Sequence, residues 1–214
     1  MKILIALLLL IPSLSWSNET DENWSYQSIG IGSSFIGLDS NTTYPNEKSH
    51  SEEFNYSSYF LELGKQIQFN SDIVLGITYS HHLSSYTNNN DCPNTSWNCF
   101  VEVKNKNDLA FKVGYVSSNS LLPYLKLGIS QMDFKLGEYQ KSDTSNQNTD
   151  TKKMNGTFYS FGFEHKLEKF KNILIDVGIT KYDFDKISKH QLDGVTMTTN
   201  PDSVESYILL KYIF

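Results

Sequence analysis

From residue 28 to the carboxy-terminus, the chain repeatedly alternates apolar and polar residues one by one. In "LAFKVGY", Leu109, Phe111, Val113 and Tyr115 share one parity, and Ala110, Lys112 and Gly114 the other. "IDVGITKY" sets Ile175, Val177 and Ile179 against Asp176, Gly178 and Thr180. A period of two belongs to an extended strand with one apolar face, whereas a helix repeats near 3.6. The same pattern returns in "SIGIGSSF" (Ile29, Ile31, Phe35 against Gly30, Gly32, Ser34) and in "FLELGKQ" (Leu61, Leu63 against Glu62, Gly64). It returns again in "VLGITYS" (Leu75, Ile77, Tyr79 against Gly76, Thr78, Ser80) and "YLKLGIS" (Leu125, Leu127, Ile129 against Lys126, Gly128, Ser130). "FYSFGFEH" (Tyr159, Phe161, Phe163 against Ser160, Gly162, Glu164) and the closing "YILLKYIF" (Ile208, Leu210, Tyr212, Phe214 against Lys211) bring the predicted strands to eight.

The connections alternate too. Short turns fall near 68–71, 117–120 and 169–172, and long polar stretches near 37–53, 84–99, 136–154 and 186–200. The long stretches are rich in Asn, Ser, Thr, Asp and Gly, the chemistry of loops. Long and short connections in strict succession predict an antiparallel up-and-down meander with one decorated end and both termini at the other.

Alternation alone fits a barrel that is apolar inside and lives in water, or one that is apolar outside and lives in lipid. The polar face decides. It carries Gly30, Gly32, Gly64, Gly76, Gly114, Gly128, Gly162 and Gly178. Glycine weakens a water-exposed strand but suits a narrow barrel interior where space is short. The charges on that face are mixed in sign: Glu62, Lys112, Lys126, Glu164, Asp176 and Lys211. Enclosed together they can pair, as buried charges must. The opposite face is a belt of large aliphatic and aromatic residues that water would not tolerate. The fold class predicted is therefore all-β: an eight-stranded antiparallel transmembrane β-barrel with long outer loops and short inner turns.

Residues 1–17, "MKILIALLLLIPSLSWS", are expected to be removed. Lys2 precedes an apolar core from Ile3 to Ile11 and a small-residue exit at Ser15 and Ser17, the layout of a cleaved signal peptide. Residues 18–214 then form one barrel domain. Export makes a disulfide between Cys92 and Cys99 the natural reading of "CPNTSWNC". So short a closed loop would contribute ~2–3 kcal/mol in the chain-entropy model. No His or further Cys stands at metal-ligand spacing from the pair, and no cofactor motif is present, so no cofactor is expected. The net charge of −6, with every basic residue a lysine and no basic stripe, argues against nucleic acid as a partner.

In these features the mature chain resembles the small eight-stranded outer-membrane barrels of Gram-negative bacteria, the OmpA/OmpX type. The ending adds to the likeness: the family's last strand finishes in an aromatic with another hydrophobic residue two positions earlier, as Phe214 and Tyr212 do here. The family usually has Gly five residues before the last aromatic; this chain has Leu209. The resemblance implies a bacterial outer-membrane location, contact with outer-membrane lipid and lipopolysaccharide, and loops facing outward. It also implies that the barrel-assembly machinery reads the Tyr212/Phe214 ending. Expected roles are structural support or surface interaction through the loops, by a monomer. The alternatives are a narrow channel or transporter for small or hydrophobic solutes and, less so, a lipid A-modifying enzyme.

That last alternative rests on "SHHLSS". The H-x-S spacing places His82 and Ser84 on one face of a strand, but no acid is recognisable nearby. No enzymatic activity is expected. The lumen charges read as a packed salt-bridge plug rather than an ion path, because eight strands leave an interior that side chains fill. Aromatics near strand ends are expected to form interfacial girdles: Trp24, Tyr26, Phe69 and Phe170 at the turn end, and Tyr79, Phe134, Tyr182 and Phe184 at the loop end.

Overall fold

The computed structural model describes residues 23–43, 50–69, 72–91, 97–192 and 195–214. The expected signal peptide and Cys92 lie outside these residues. Ten strands follow in chain order: β1 (Tyr26–Thr43), β2 (His50–Gln68), β3 (Ile73–His82), β4 (Tyr86–Asp91), β5 (Trp97–Tyr115), β6 (Leu121–Gln140), β7 (Asp143–Lys166), β8 (Ile173–Phe184), β9 (Ile187–Leu192) and β10 (Val195–Ile213). Eight of them, in the order β1-β2-β3-β5-β6-β7-β8-β10, form a continuous antiparallel sheet, and β10 pairs back onto β1 to close it. The closing seam runs from Ser28 opposite Ile213 to Thr43 opposite Thr198, leaving no open edge. The eight alternating segments of the sequence are these eight strands.

Parity decides what faces where. Leu127, Phe161 and Ile179 are at least 60% exposed on the outer wall, as are their neighbours in a continuous apolar belt. Lys112, Glu164, Asp176 and Lys211 are at most 1% exposed inside. Gly30 and Gly32 show why the inner face needs small residues. A Cβ on Gly32 would sit 2.6 Å from Phe60 Cζ and 2.8 Å from the Ile208 carbonyl oxygen. One on Gly30 would meet Leu209 Cδ1 at 2.8 Å. Leu209 is fully buried, with its Cδ1 in the space that Gly30 vacates.

The outer connections differ from expectation. Most of the stretches read as loops are strand. The β6–β7 hairpin runs on through 136–154 and turns over only two residues, 141–142, and β1 and β2 extend to Thr43 and from His50. The reason is on the inner face, where the alternation continues past the membrane belt with apolar residues. Ile36, Leu38, Phe54, Tyr56, Val101, Val103, Met132, Phe134, Leu136, Met154, Tyr182 and Phe184 pack together inside the protruding crown. Hydrogen-bonded polar strands outside and an apolar core inside make that crown a folded unit rather than a set of loops.

Two strands break on the way up. β3 ends at His82, and β4 resumes along the same edge of β5. β8 ends at Phe184, and β9 resumes along the same edge of β10. Among the described residues, β4 does not pair with β2, nor β9 with β7. The crown is thus two four-stranded sheets, β9-β10-β1-β2 and β4-β5-β6-β7, rising from one barrel. Tyr86 of β4 bridges one of the gaps by stacking on Tyr56 of β2, with ring centroids 4.5 Å apart.

The girdle assignment holds for Phe69 and Phe170, which are exposed at the turn end, but not for five of the other aromatics. Phe134, Tyr182 and Phe184 are buried in the crown. Each shares parity with a lumen charge, Phe134 with Lys126 and the other two with Asp176. Trp24 packs with Val74 and Leu122 to close the barrel floor, and Tyr26 turns its hydroxyl inward to Glu164.

If inner-face space is what constrains the glycines, Gly32→Ala lowers unfolding stability by ~1–3 kcal/mol. The lipid-facing Ile31→Leu leaves it within ~1 kcal/mol. Urea titration of the refolded barrel in detergent, read by heat-modifiable gel migration, measures both.

Candidate functional site: two charge clusters in the lumen

The six charges predicted for the lumen come from β2, β5, β6, β7, β8 and β10, and they meet at the middle of the barrel. Lys211 is the hub. Its Nζ lies 2.7 Å from Glu62 Oε1, 2.8 Å from Glu164 Oε1 and 2.6 Å from Asp176 Oδ2. Lys112 donates to Glu164 Oε1 at 2.8 Å, and Lys126 to Glu62 Oε2 at 3.1 Å. Lys126 also approaches Asp176 Oδ2 at 3.8 Å. Three lysines thus face three carboxylates. Tyrosines complete the cluster: the Tyr26 hydroxyl donates to Glu164 Oε2 at 2.6 Å, and the Tyr124 hydroxyl donates to Asp176 Oδ1. The Tyr124 and Tyr207 hydroxyls lie 2.5 Å apart.

A second cluster sits above it, where the crown begins. His82 Nε2 lies 3.3 Å from Lys106 Nζ, 3.6 Å from Asp108 Oδ2 and 3.8 Å from Glu205 Oε1. Lys106 Nζ reaches Glu205 Oε2 at 2.5 Å and sits 3.8 Å above the Tyr182 ring. The Tyr182 hydroxyl lies 2.9 Å from Asp108 Oδ2 and 2.7 Å from Glu205 Oε2, and Ser130 Oγ donates to Asp108 Oδ1 at 2.6 Å. Of this group the sequence singled out His82 alone, and with Ser84 as its partner. The group's signal was the same parity rule: Asp108 and Lys106 lie in phase with Lys112, Glu205 with Lys211, and His82 with Gly76 and Thr78.

His82 and Ser84 do not meet. β3 ends at His82, so the two-residue phase no longer applies at Ser84, whose Oγ instead accepts from the Tyr59 amide on the outer side at 3.1 Å. The serine near His82 is Ser58, with Oγ 3.2 Å from Nδ1. Serine, imidazole and carboxylate therefore stand in the order of a nucleophilic site. Two features argue against that chemistry. Lys106 occupies the far ring nitrogen, and Ser58 is fully buried and does not line the cavity of about 30 Å³ that His82 borders. That volume holds a water molecule or two, not an acyl group.

The cavity separates the two clusters. Glu62, Lys126, Thr78 and Ser80 border it below, and His82, Asp108, Glu205 and Tyr182 above. Cys99 lies on β5, between Asn90 of β4 and Glu138 of β6. At the closing seam Gln27 and Phe214 exchange backbone hydrogen bonds of 3.1 and 3.0 Å, while Tyr212 and Phe214 stay exposed on the lipid side.

A closed barrel with a lipid-facing apolar belt and a charge-paired interior defines an outer-membrane β-barrel. The sequence agrees: residues 6–203 match the model for the outer membrane protein beta-barrel domain, and the chain belongs to that family of bacterial outer-membrane proteins. As such it sits in the lipid membrane in contact with lipopolysaccharide. No curated protein sequence matches it. Among solved structures it is similar to OprG from Pseudomonas aeruginosa, with a TM-score of 0.53 at 12% identity over 91% of this chain and 99% of that one. Ail of Yersinia pestis, solved with the heparin analogue sucrose octasulfate, gives 0.45 at 12% identity over 86% of this chain and 98% of that one. Neisserial surface protein A gives 0.42 at 11% identity over 86% and 97%. At such identities the likeness speaks for the fold alone.

Removing the hub has a defined cost. Lys211→Met leaves three buried carboxylates facing two ammoniums and lowers stability by ~3–5 kcal/mol. Adding Glu62→Gln restores the balance, because Glu164 keeps Lys112 at 2.8 Å and Asp176 keeps Lys126 at 3.8 Å. The double variant is therefore more stable than Lys211→Met alone in the same urea titration.

Proposed function

We propose that this chain is a monomeric surface-contact protein of the outer membrane, without enzymatic activity, whose working part is the outside of its crown. The observation that carries this reading is the filling of the lumen. From the periplasmic end upward come the floor of Trp24, Val74 and Leu122, the six-charge cluster, the His82 cluster and the apolar crown core. Such a stack, among the described residues, leaves a cavity of about 30 Å³ between its two charge clusters, room for water rather than for a solute. What the chain does present is a stiff, polar, outward-facing wall well above the lipid belt.

Two features of the chain serve this role in our reading. Cys99 is disulfide-bonded, and a bridge to Cys92 pins the tip of the β4–β5 hairpin. Tyr212 and Phe214, exposed at the closing strand, are the signal by which the barrel-assembly machinery takes up the chain.

Shortening the β6–β7 hairpin by replacing residues 137–149 with a two-residue turn keeps Met132, Phe134 and Met154 in place. It is expected to leave a heat-modifiable barrel but to weaken attachment of expressing cells to the surfaces or cells that they otherwise bind. Unchanged attachment across trimmed versions of all four outer hairpins would remove the surface-contact reading. In planar bilayers the intact protein is expected to show no steady conductance, and a stable ohmic step would overturn the sealed-lumen account.

A further inference from the structure

The His82 cluster has a composition that its structural role does not require. A neutral plug needs equal numbers of opposite charges, as the lower cluster has. Here two carboxylates, Asp108 and Glu205, converge with an imidazole on one ammonium. Lys106 Nζ lies 3.3 Å from His82 Nε2, and on the other side of the ring Nδ1 lies 3.2 Å from Ser58 Oγ. A hydrogen bond on the far nitrogen fixes the orientation of an imidazole whose other nitrogen is to bind a metal. One ligand atom each from His82, Asp108 and Glu205 lies within 4.8 Å of the others, and all three side chains are buried. The adjoining cavity of about 30 Å³ has room for a water. Ser160 Oγ borders that cavity, 1% exposed as a residue and with no hydrogen-bond partner. It is a buried polar atom placed to meet such a water.

We propose that His82, Asp108 and Glu205 form a binding site for a divalent first-row transition ion, and that Lys106 is a tethered cation which the ion displaces. One imidazole and two carboxylates suit Zn²⁺, Fe²⁺, Co²⁺ or Mn²⁺ better than soft Cu⁺. The two positive charges of such an ion match the two carboxylates. Lys106 is mounted so that it can leave. It follows Asn105, whose φ is 53°, in a β-bulge between Lys104 and Asn107. Such bulges re-aim the side chain they carry. The wall is least continuous at the same height: β3 ends at His82 and, among the described residues, β4 above it does not pair with β2. This inference is independent of the surface-contact reading, since a metal there would stiffen or adjust the base of the crown whatever the crown contacts.

The test uses the refolded protein in detergent micelles, titrated with Co²⁺ and followed by its visible ligand-field absorption, with Zn²⁺ as competitor. Wild type is expected to bind one ion. Lys106→Met, which removes the competitor, is expected to bind about tenfold more tightly, or about 1.4 kcal/mol. His82→Gln and Asp108→Asn are expected to lose the band, and heat-modifiable migration checks that each variant is folded. The proposal fails if wild type shows no band up to about 1 mM Co²⁺ (a Kd weaker than about −4.1 kcal/mol), even if Lys106→Met alone acquires one. It fails equally if folded His82→Gln keeps the wild-type spectrum.

Discussion

Hydrocarbon offers no hydrogen bonds, so every backbone amide and carbonyl in the belt must be paired within the protein. β10 meeting β1 satisfies this, and much else follows from that closure. Eight strands closed on themselves enclose a lumen narrow enough that Gly32 has no room for a methyl group and Leu209 fills what Gly30 leaves. In so small a space charges cannot be left to water. They are held as a matched set of three lysines and three carboxylates around Lys211. The chain has no arginine, so each of these cations is a point charge that several carboxylates can share, rather than a fork that fits one.

The barrel itself was legible because period-two alternation is a local property that tertiary structure reinforces. Each of the six lumen charges could be placed from its neighbours within one strand. The crown was misread for a compositional reason. Polar residues crowd both phases of 136–154, with Asn148 and Asp150 in phase with Met154, and so hide Leu136 and Met154, the apolar inward residues of an otherwise polar stretch. Phe134, Tyr182 and Phe184 were assigned to girdles by their distance along the strand, although their parity already put them inside.

What parity could not supply is where a strand stops. His82 and Ser84 have the spacing of neighbours on one face, but β3 ends between them, and only the three-dimensional path shows it. The β5 bulge is likewise silent in sequence. Val101 and Val103 face inward above it and Lys106 and Asp108 below it, an odd-to-even change that no fixed period would produce. The floor is another case: Trp24 precedes the first strand, so its inward position depends on Gln66 and Gln68 holding its backbone carbonyl and amide.

The split crown carries a consequence for how such a surface changes over time. Its shape is set by inward residues and by pairing within two separate sheets, and neither depends on what the outward side chains are. Asp39, Glu53, Asn55, Lys153 and Asp183 hold no core position. Their identities can drift, singly or together, while the scaffold beneath them keeps its form. Because the two sheets, among the described residues, share no strand pairing across their gaps, the outward side of one can be remodelled without its partner having to follow.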